Sequence, residues 1–336
     1  MTDRVKVGII GTGLMGALHA RNLAQTLRHS ELVAIADADL SRAKALADEL
    51  GTRASVDGFA VIADPNVDAL VIASPDGTHA DYVLAAIAAD KPVMCEKPVA
   101  TTGADAIRVI EAESEKGRRM VQVGFMREFD PEHLGVRTAI DEGRIGNPVM
   151  FRAIHINPTI GTFRMSPDAV ITSSIIHDIH SARWLMGQEI DTVFVKSIAH
   201  DAGNPDTCKL LTISCTFVNG ALGLMDVNIE ASYGYAVSAE VVGSAGTVTT
   251  AQPRSTVVLK DFGRHEEIAG GFGPRFGSAY LAELDAWLRS VQSGTPVGPS
   301  AWDGYASLAV ADACSESLHT NKAVKVALRD RFGIYA

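Results

Sequence analysis

With 336 residues, 47% of them apolar, the chain is long enough for two ordinary hydrophobic cores and needs no disulfide or metal staple. Its formal charge of −10 comes from acids spread along the sequence, with no basic run able to track a phosphate backbone, so a small-molecule partner is expected and nucleic acid is not. Cys95, Cys208, Cys215 and Cys314 show no metal-type spacing, the polar start Met1 to Arg4 runs straight into a strand, and no apolar stretch is long enough for a bilayer; a reducing, cytoplasmic setting without membrane association is expected.

The first element is a β-rich run, Val5 to Ile10, which leads into Gly11-Thr12-Gly13-Leu14-Met15-Gly16 and an amphipathic stretch, Ala17 to Leu27. A second apolar run, Glu31 to Ala36, closes on Asp37. Glycine-rich turns alone are weak signals, but strand, glycines, helix and an acid about twenty residues on together point to a dinucleotide site. One glycine serves a tight turn, one lets backbone approach a pyrophosphate, and one brings helix against sheet. The anion then rests on the free N–H groups of the helix N-terminus. Asp37 is placed to accept from a ribose 2′-OH and would repel a 2′-phosphate, which favours NAD over NADP; Arg42 is the nearby countercharge.

Alternating strands and helices continue to residue 124, with strands expected at Leu32 to Ala36, Ala69 to Ala73, Val93 to Cys95 and Val121 to Gly124. Helices are expected at Ser41 to Leu50 (Ser41 capping), Ala80 to Ala89, and Ala104 to Lys116, stopped by Gly117. From Val149 long alternating runs take over: Val149 to Ile156, Thr192 to Ile198, Lys209 to Phe217, Ala221 to Ile229, Val237 to Val242 and Thr256 to Lys260. They read as an antiparallel sheet, with Asn219-Gly220 as a two-residue hairpin turn and Ser244-Ala245-Gly246 as another reversal. No crossover helices are evident for one of its faces, so that face is expected to pack on another subunit. Helices Tyr280 to Gln292 and Ala301 to Leu318, the latter opened by Ser300-Ala301-Trp302-Asp303, close the chain. The expected fold is α/β: a doubly wound, Rossmann-type parallel sheet over 1–124, then an α+β domain over 125–336 with a large, mostly antiparallel open sheet.

In a doubly wound sheet ligands lie beyond the carboxyl ends of the strands, and Glu96-Lys97-Pro98 follows the fourth of the strands named above, taken as the switch-point neighbour of the first. A lysine there can donate to a hydroxyl oxygen as it becomes an alkoxide; as a lone residue it would pass for a surface lysine. Pro98 sets the direction of the turn, through a cis bond if one is present. Ser74-Pro75-Asp76-Gly77-Thr78-His79 occupies the preceding strand's loop and is expected to border the cofactor, with Ser74, Pro75, Thr78 and His79 as candidates. Farther on, Ser173, His177 and His180 fall at spacings of four and three, on one helix face that Trp184 continues. His177 suits general-base work near neutral pH. Equally, Thr172 or Ser173 caps the helix, His177 is a satisfied core histidine, or His-x-x-His marks a metal; no third metal ligand is evident, and no metal is expected.

Taken together, Gly11 to Gly16, Glu96-Lys97-Pro98 and the His177 helix resemble the glucose-fructose oxidoreductase and inositol dehydrogenase (Gfo/Idh/MocA) family over the whole length. Gly124-Phe125-Met126-Arg127, His155-Ile156-Asn157-Pro158, Tyr233-Gly234-Tyr235 and Gly298 to Tyr305 are similar to segments of its myo-inositol 2-dehydrogenase branch. The resemblance implies NAD as cofactor, Lys97 and His177 as the catalytic pair, and Arg127, His155, Asn157 and Tyr235 approaching a polyol. Ser173 and His180 join that substrate set by position. Dimers or tetramers built through the open sheet are also implied.

The chain departs from that branch at three places. Ser173 replaces an aspartate four residues before the histidine, His180 replaces an acid three residues after it, and Ala236 replaces an acid after the second tyrosine. A fixed anionic acceptor is lost each time. The expected activity is oxidation of a secondary hydroxyl on a cyclic polyol, sugar or glycoside. The alternatives are myo-inositol 2-dehydrogenase proper, a non-catalytic NAD-sensing regulator, and redox-neutral glycoside elimination with retained NAD.

Overall fold

The alternation in the first half folds as a parallel sheet. The computed structural model describes residues 4–159, 164–200, 204, 206–250, 257–331 and 333–335. In chain order it gives β1 (Val5–Ile10), α1 (Leu14–Arg21), β2 (Ser30–Ala36), α2 (Leu40–Leu50), β3 (Arg53–Ser55), α3 (Gly58–Ala63), β4 (Ala69–Ile72), α4 (His79–Ala88), β5 (Val93–Cys95), α5 (Gly103–Lys116) and β6 (Val121–Val123). The strands run β3-β2-β1-β4-β5-β6, every pair parallel. Short, wholly apolar strands such as β4 and β5 are buried throughout, as a sheet covered on both faces requires.

Three expectations change here. The switch lies between β1 and β4, so the Ser74–His79 loop sits at it, and Glu96-Lys97-Pro98, after β5, stands one strand farther out. Asp39, not Ser41, caps α2, accepting from the N–H groups of Ser41 and Arg42. The helix after the glycines is α1 extended by a π-helical turn, Asn22–Thr26.

The rest of the chain forms α6 (Pro131–Asp141), β7 (Pro148–Pro158), α7 (Pro167–Val170), α8 (Ile176–Met186), β8 (Ile190–Ile198), β9 (Leu210–Phe217), β10 (Leu222–Ala231), β11 (Ala236–Gly243), β12 (Thr247–Thr249), β13 (Val257–Lys260), β14 (Gly263–Glu266), α9 (Phe272–Ser293), α10 (Ala301–Thr320) and β15 (Val324–Lys325). The large sheet has the order β12-β11-β7-β10-β9-β8-β15. It is mixed, because β10 runs parallel to β7. Val257–Lys260 lies outside that sheet and pairs only with β14 in a hairpin; Thr256 of the expected run falls outside the described residues. Asn219-Gly220 makes its turn, with Gly220 at φ 84° and its N–H donating to Phe217 O.

Two compact units divide the chain, Met1–Glu128 with Tyr280–Leu308 and Arg329–Ala336, and Phe129–Ala279 with Ala309–Leu328. In the first, Val7, Ile9, Ala20, Leu23, Met94, Leu284, Trp287 and Leu288 share one core. In the second, the inward residues of the mixed sheet, Phe151 and Met225 among them, share a core with Ile175, Ile179 and Leu185 of the His177 helical segment. Strand alternation therefore turns His155 toward this core and leaves Ile154, Leu222 and Leu224 exposed. Among the described residues no helix is long and apolar enough to cross a membrane.

Candidate active site

In the first unit the three glycines have distinct geometries. Gly11 has φ 98°, and a Cβ on it would stand 2.3 Å from Ala73 O. A Cβ on Gly16 would stand 2.0 Å from Gly11 O. At Gly13 the space is open, Arg42 Nη2 being nearest at 4.0 Å, so a side chain there would grow into the adjoining cavity. That cavity, about 390 Å³, is lined by Gly11, Gly13, Asp37, Arg42, Ser74, Pro75 and Thr78 among others. No side chain caps α1, whose first N–H groups remain available to an anion.

Asp37 is held from two sides. Its Oδ2 accepts from Thr12 N at 2.8 Å and Thr12 Oγ1 at 2.5 Å, and its Oδ1 accepts from Asp39 N at 2.9 Å. Burial works to raise this carboxyl, but the hydrogen bonds and the charge of Arg42 outweigh it and keep it below the usual range. Ser74 Oγ lies 2.7 Å from Thr78 Oγ1, which donates to Pro75 O, so this loop is internally tied. A glycine-lined cradle, an open helix N-terminus and a fixed carboxylate just past the second strand suit the pyrophosphate and ribose of NAD, and these residues fit it.

Other expected cofactor residues do not line the cavity. Leu14 is exposed, Met15 is half-buried, and His79 is buried with its ring nitrogens 2.7 Å from Pro98 O and 2.8 Å from Ser74 O, bracing the two loops. Glu96 is buried and directed at His19. The Lys97–Pro98 peptide is cis. Arg127, in a 3-10 turn after β6, is 2% exposed.

In the second unit His155 Nδ1 is 2.7 Å from Asp178 Oδ2, both side chains buried, and the His155 and Tyr235 rings meet edge to face at 5.9 Å. Asp178 escaped the sequence reading because it stands beside His177 and off the spacing used there. His177 is the second residue of α8, directly after a π-helical turn, Ile171–Ile175. Such turns widen a helix locally and recur at functional sites. The expected cap moves accordingly: Ser166 caps the segment at Pro167, while Thr172 and Ser173 lie inside it, and Ser173 Oγ donates to Ala169 O at 2.6 Å. Its neighbour Ser174 accepts from Asn157 Nδ2 at 3.4 Å. Asn157 and Tyr235 also line a cavity of about 260 Å³ with Arg164 and Glu230. His180 is buried two residues past Asp178. Among the described residues no three or more His, Cys, Asp or Glu side chains are grouped to hold a metal ion.

Fold and cradle together define a dinucleotide-dependent oxidoreductase. Residues 5–125 match the NAD-binding Rossmann-fold domain of the Gfo/Idh/MocA oxidoreductases, and residues 137–328 match their C-terminal alpha/beta domain. The chain belongs to the Gfo/Idh/MocA oxidoreductase family. It is 42% identical to an inositol 2-dehydrogenase of Rubrobacter xylanophilus, over 97% of this chain and 94% of that protein. It is 40% identical to inositol 2-dehydrogenase 1 of Saccharopolyspora erythraea, over 98% and 99%. Among solved structures, myo-inositol dehydrogenase from Lactobacillus casei in complex with NAD(H) and myo-inositol superposes with a TM-score of 0.94 at 31% identity, covering 99% of this chain and 100% of that one. Scyllo-inositol dehydrogenase of the same organism, with NAD(H) and scyllo-inositol, gives 0.88 at 25% identity over 96% and 99%.

Proposed function

We propose that this chain is an NAD-dependent dehydrogenase that oxidises a secondary hydroxyl of an inositol-like cyclic polyol, sugar or glycoside to a ketone. The observation that carries this reading is near full-length similarity to proteins named inositol 2-dehydrogenase, in a chain that keeps both Lys97 and His177. Gly11 to Gly16, Asp37, Ser74, Pro75, Thr78, His79 and the Glu96-Lys97 turn would hold NAD, which supplies the hydride acceptor. His177 takes the hydroxyl proton, and Lys97 donates to the oxygen as negative charge grows on it. Arg127, His155, Asn157, Ser173, His180 and Tyr235 surround the polyol. The division of labour follows the domains: 1–124 for the nucleotide, 125–336 for substrate and assembly.

Recognition of the ring differs from the family pattern at Ser173 and His180. Ser173 spends its hydroxyl proton on the helix backbone, leaving lone pairs that accept but no anion. Losing a charged acceptor in a buried polyol site costs about 1.5–3 kcal/mol per hydrogen bond. The substrate class therefore extends beyond myo-inositol to related cyclic polyols and sugars. Assembly as a dimer or tetramer through the exposed face of the mixed sheet, in the cytoplasm, completes the proposal; the exposed Ile154, Leu222 and Leu224 support it.

An NADH-forming screen over inositol isomers, hexoses, pentoses and glycosides tests the reading. A signal with cyclic polyols supports it. NAD binding without any substrate-dependent NADH favours a regulator, and glycoside consumption without net NADH favours elimination chemistry.

A further inference from the structure

A polar cluster lies buried within the first unit. Glu96, the residue after β5, is 6% exposed, and its Oε1 is 2.8 Å from Nε2 of His19, a fully buried histidine on α1. Its Oε2 accepts from the backbone N–H of Lys97 at 3.3 Å. Gly124 makes room for this carboxylate: a Cβ there would stand 3.0 Å from Glu96 Oε2 and 3.2 Å from Glu96 Cα.

Burial alone would drive Glu96 neutral. The hydrogen bond and charge of His19, followed by the charges of Lys97 and His79, overcome that and hold its carboxyl below the usual range. Glu283 on α9 behaves oppositely. It is fully buried, neither carboxyl oxygen has a hydrogen-bond partner, and burial, reinforced by Glu96 and Glu128, pushes it well above the usual range. Two nearby carboxyls are thus driven apart, one anionic and one neutral, a pattern that marks groups with separate duties. The groups that face Glu96 are His19 from α1, His79 from α4, Cys95 and Lys97 from its own strand and turn, and Glu283 from α9.

We propose that the His19–Glu96 pair is a positioning device for Lys97: His19, carried on the helix that opens at the dinucleotide cradle, keeps Glu96 a carboxylate, and that carboxylate holds the turn and the ammonium of Lys97 in working place. The proposal rests on the reading of Lys97 as catalytic. A buried carboxylate costs several kcal/mol unless paired, so a turn that needed only a fixed shape would be better served by a neutral side chain. Glu96 instead addresses Lys97 twice, through its backbone N–H and through its charge.

The test uses the full chain with His19→Leu, His19→Gln, Glu96→Gln and Lys97→Ala, followed by the pH profile of kcat, the polyol KM, and NAD affinity by fluorescence titration. Without His19, Glu96 keeps its burial but loses its main support, so its carboxyl rises and the acid limb of kcat moves to higher pH, by about one unit or more. At neutral pH His19→Leu should lose about 10-fold or more in kcat, with KM and NAD affinity within about 3-fold of the parent. His19→Gln, which can still donate to Oε1, should recover part of that loss. The proposal is overturned if His19→Leu folds and keeps the parental pH profile, or if its loss sits in KM alone. Should His19→Leu fail to fold, Glu96→Gln decides: kcat lowered about 10-fold or more across the pH range, with KM and NAD affinity near parental, supports the proposal, and a parental kcat overturns it. Full turnover in Lys97→Ala would remove the catalytic reading underneath, a result distinct from failure of the pair.

Discussion

Thr12 donates twice to a single carboxylate oxygen of Asp37, from its backbone N–H at 2.8 Å and from its hydroxyl at 2.5 Å. The middle of the glycine turn is thereby tied to the acid that follows the second strand, and the carboxylate proposed to accept from the ribose is already fixed in place. Thr12→Val removes the hydroxyl bond only. NAD affinity, read by fluorescence titration, should fall about 5–30-fold, from roughly 1–2 kcal/mol for a charge-assisted bond, and Thr12→Ser should restore most of it. The Asp37 carboxyl would also rise toward its ordinary value, so binding in Thr12→Val should fade at a higher pH than in the parent.

Asp37 and Arg42 line the same cavity with opposite charge. Asp37→Ser removes the anion that repels a 2′-phosphate and leaves Arg42 to attract one. The ratio of kcat/KM for NAD over NADP should drop by about 10-fold or more, mostly through KM. An unchanged ratio would show that Asp37 does not read the ribose.

The strands that could be read to the residue, Val5 to Ile10 and Val93 to Cys95, are apolar but for the exposed Lys6 and are bounded by turn residues, so near-complete burial leaves one interpretation. Arg53–Ser55 was invisible because a three-residue polar edge strand has no pattern. Parallel pairing of β7 with β10 escaped for another reason: alternation reports which face is buried, not strand direction. Around the site, the four-residue spacing of Ser173 and His177 reads as an unbroken α-helix, whereas the π-helical turn Ile171–Ile175 changes the register between them. The glycine turn and Asp37, which line one cavity, are close in sequence and readable from spacing, whereas the Lys97 turn, expected at the switch point, stands one strand farther out. His19 with Glu96, 77 residues apart, and His155 with Asp178, 23 apart, exist only through folding.

Arg275 grips Asp130 with two nitrogens, at 2.8 and 3.1 Å, while His133 Nδ1 stands 2.6 Å from the same carboxylate. Burial raises the Asp130 carboxyl, yet these hydrogen bonds and charges hold it far below the usual range. A carboxyl depressed in the native state adds stability above its unfolded pKa of about 4, and that stability is lost as pH falls through the native value. Arg275→Met should destabilise the fold by about 3–5 kcal/mol near neutral pH in urea melts, because it strands a buried charge. The gap between parent and variant should narrow steadily below about pH 4. A gap independent of pH would contradict this account.

Ile154 and Leu224 are exposed on neighbouring strands of the mixed sheet, on the face away from its core. If that face joins subunits, Ile154→Asp with Leu224→Asp buries two unpaired charges in the interface, and the assembly should dissociate at micromolar concentration in light scattering. A parental mass for the double variant would place the interface elsewhere.

The central claim is that the hydrogen on a polyol carbinol carbon passes directly to NAD. Turnover of inositol deuterated at the oxidised carbon, followed by mass spectrometry and proton NMR of the reduced nucleotide, reads this transfer. The account predicts deuterium at nicotinamide C4, one per ketone formed, with the rate greatly reduced in both Lys97→Ala and His177→Ala. Deuterium released to water, or retained in the product while NAD stays oxidised, would contradict it.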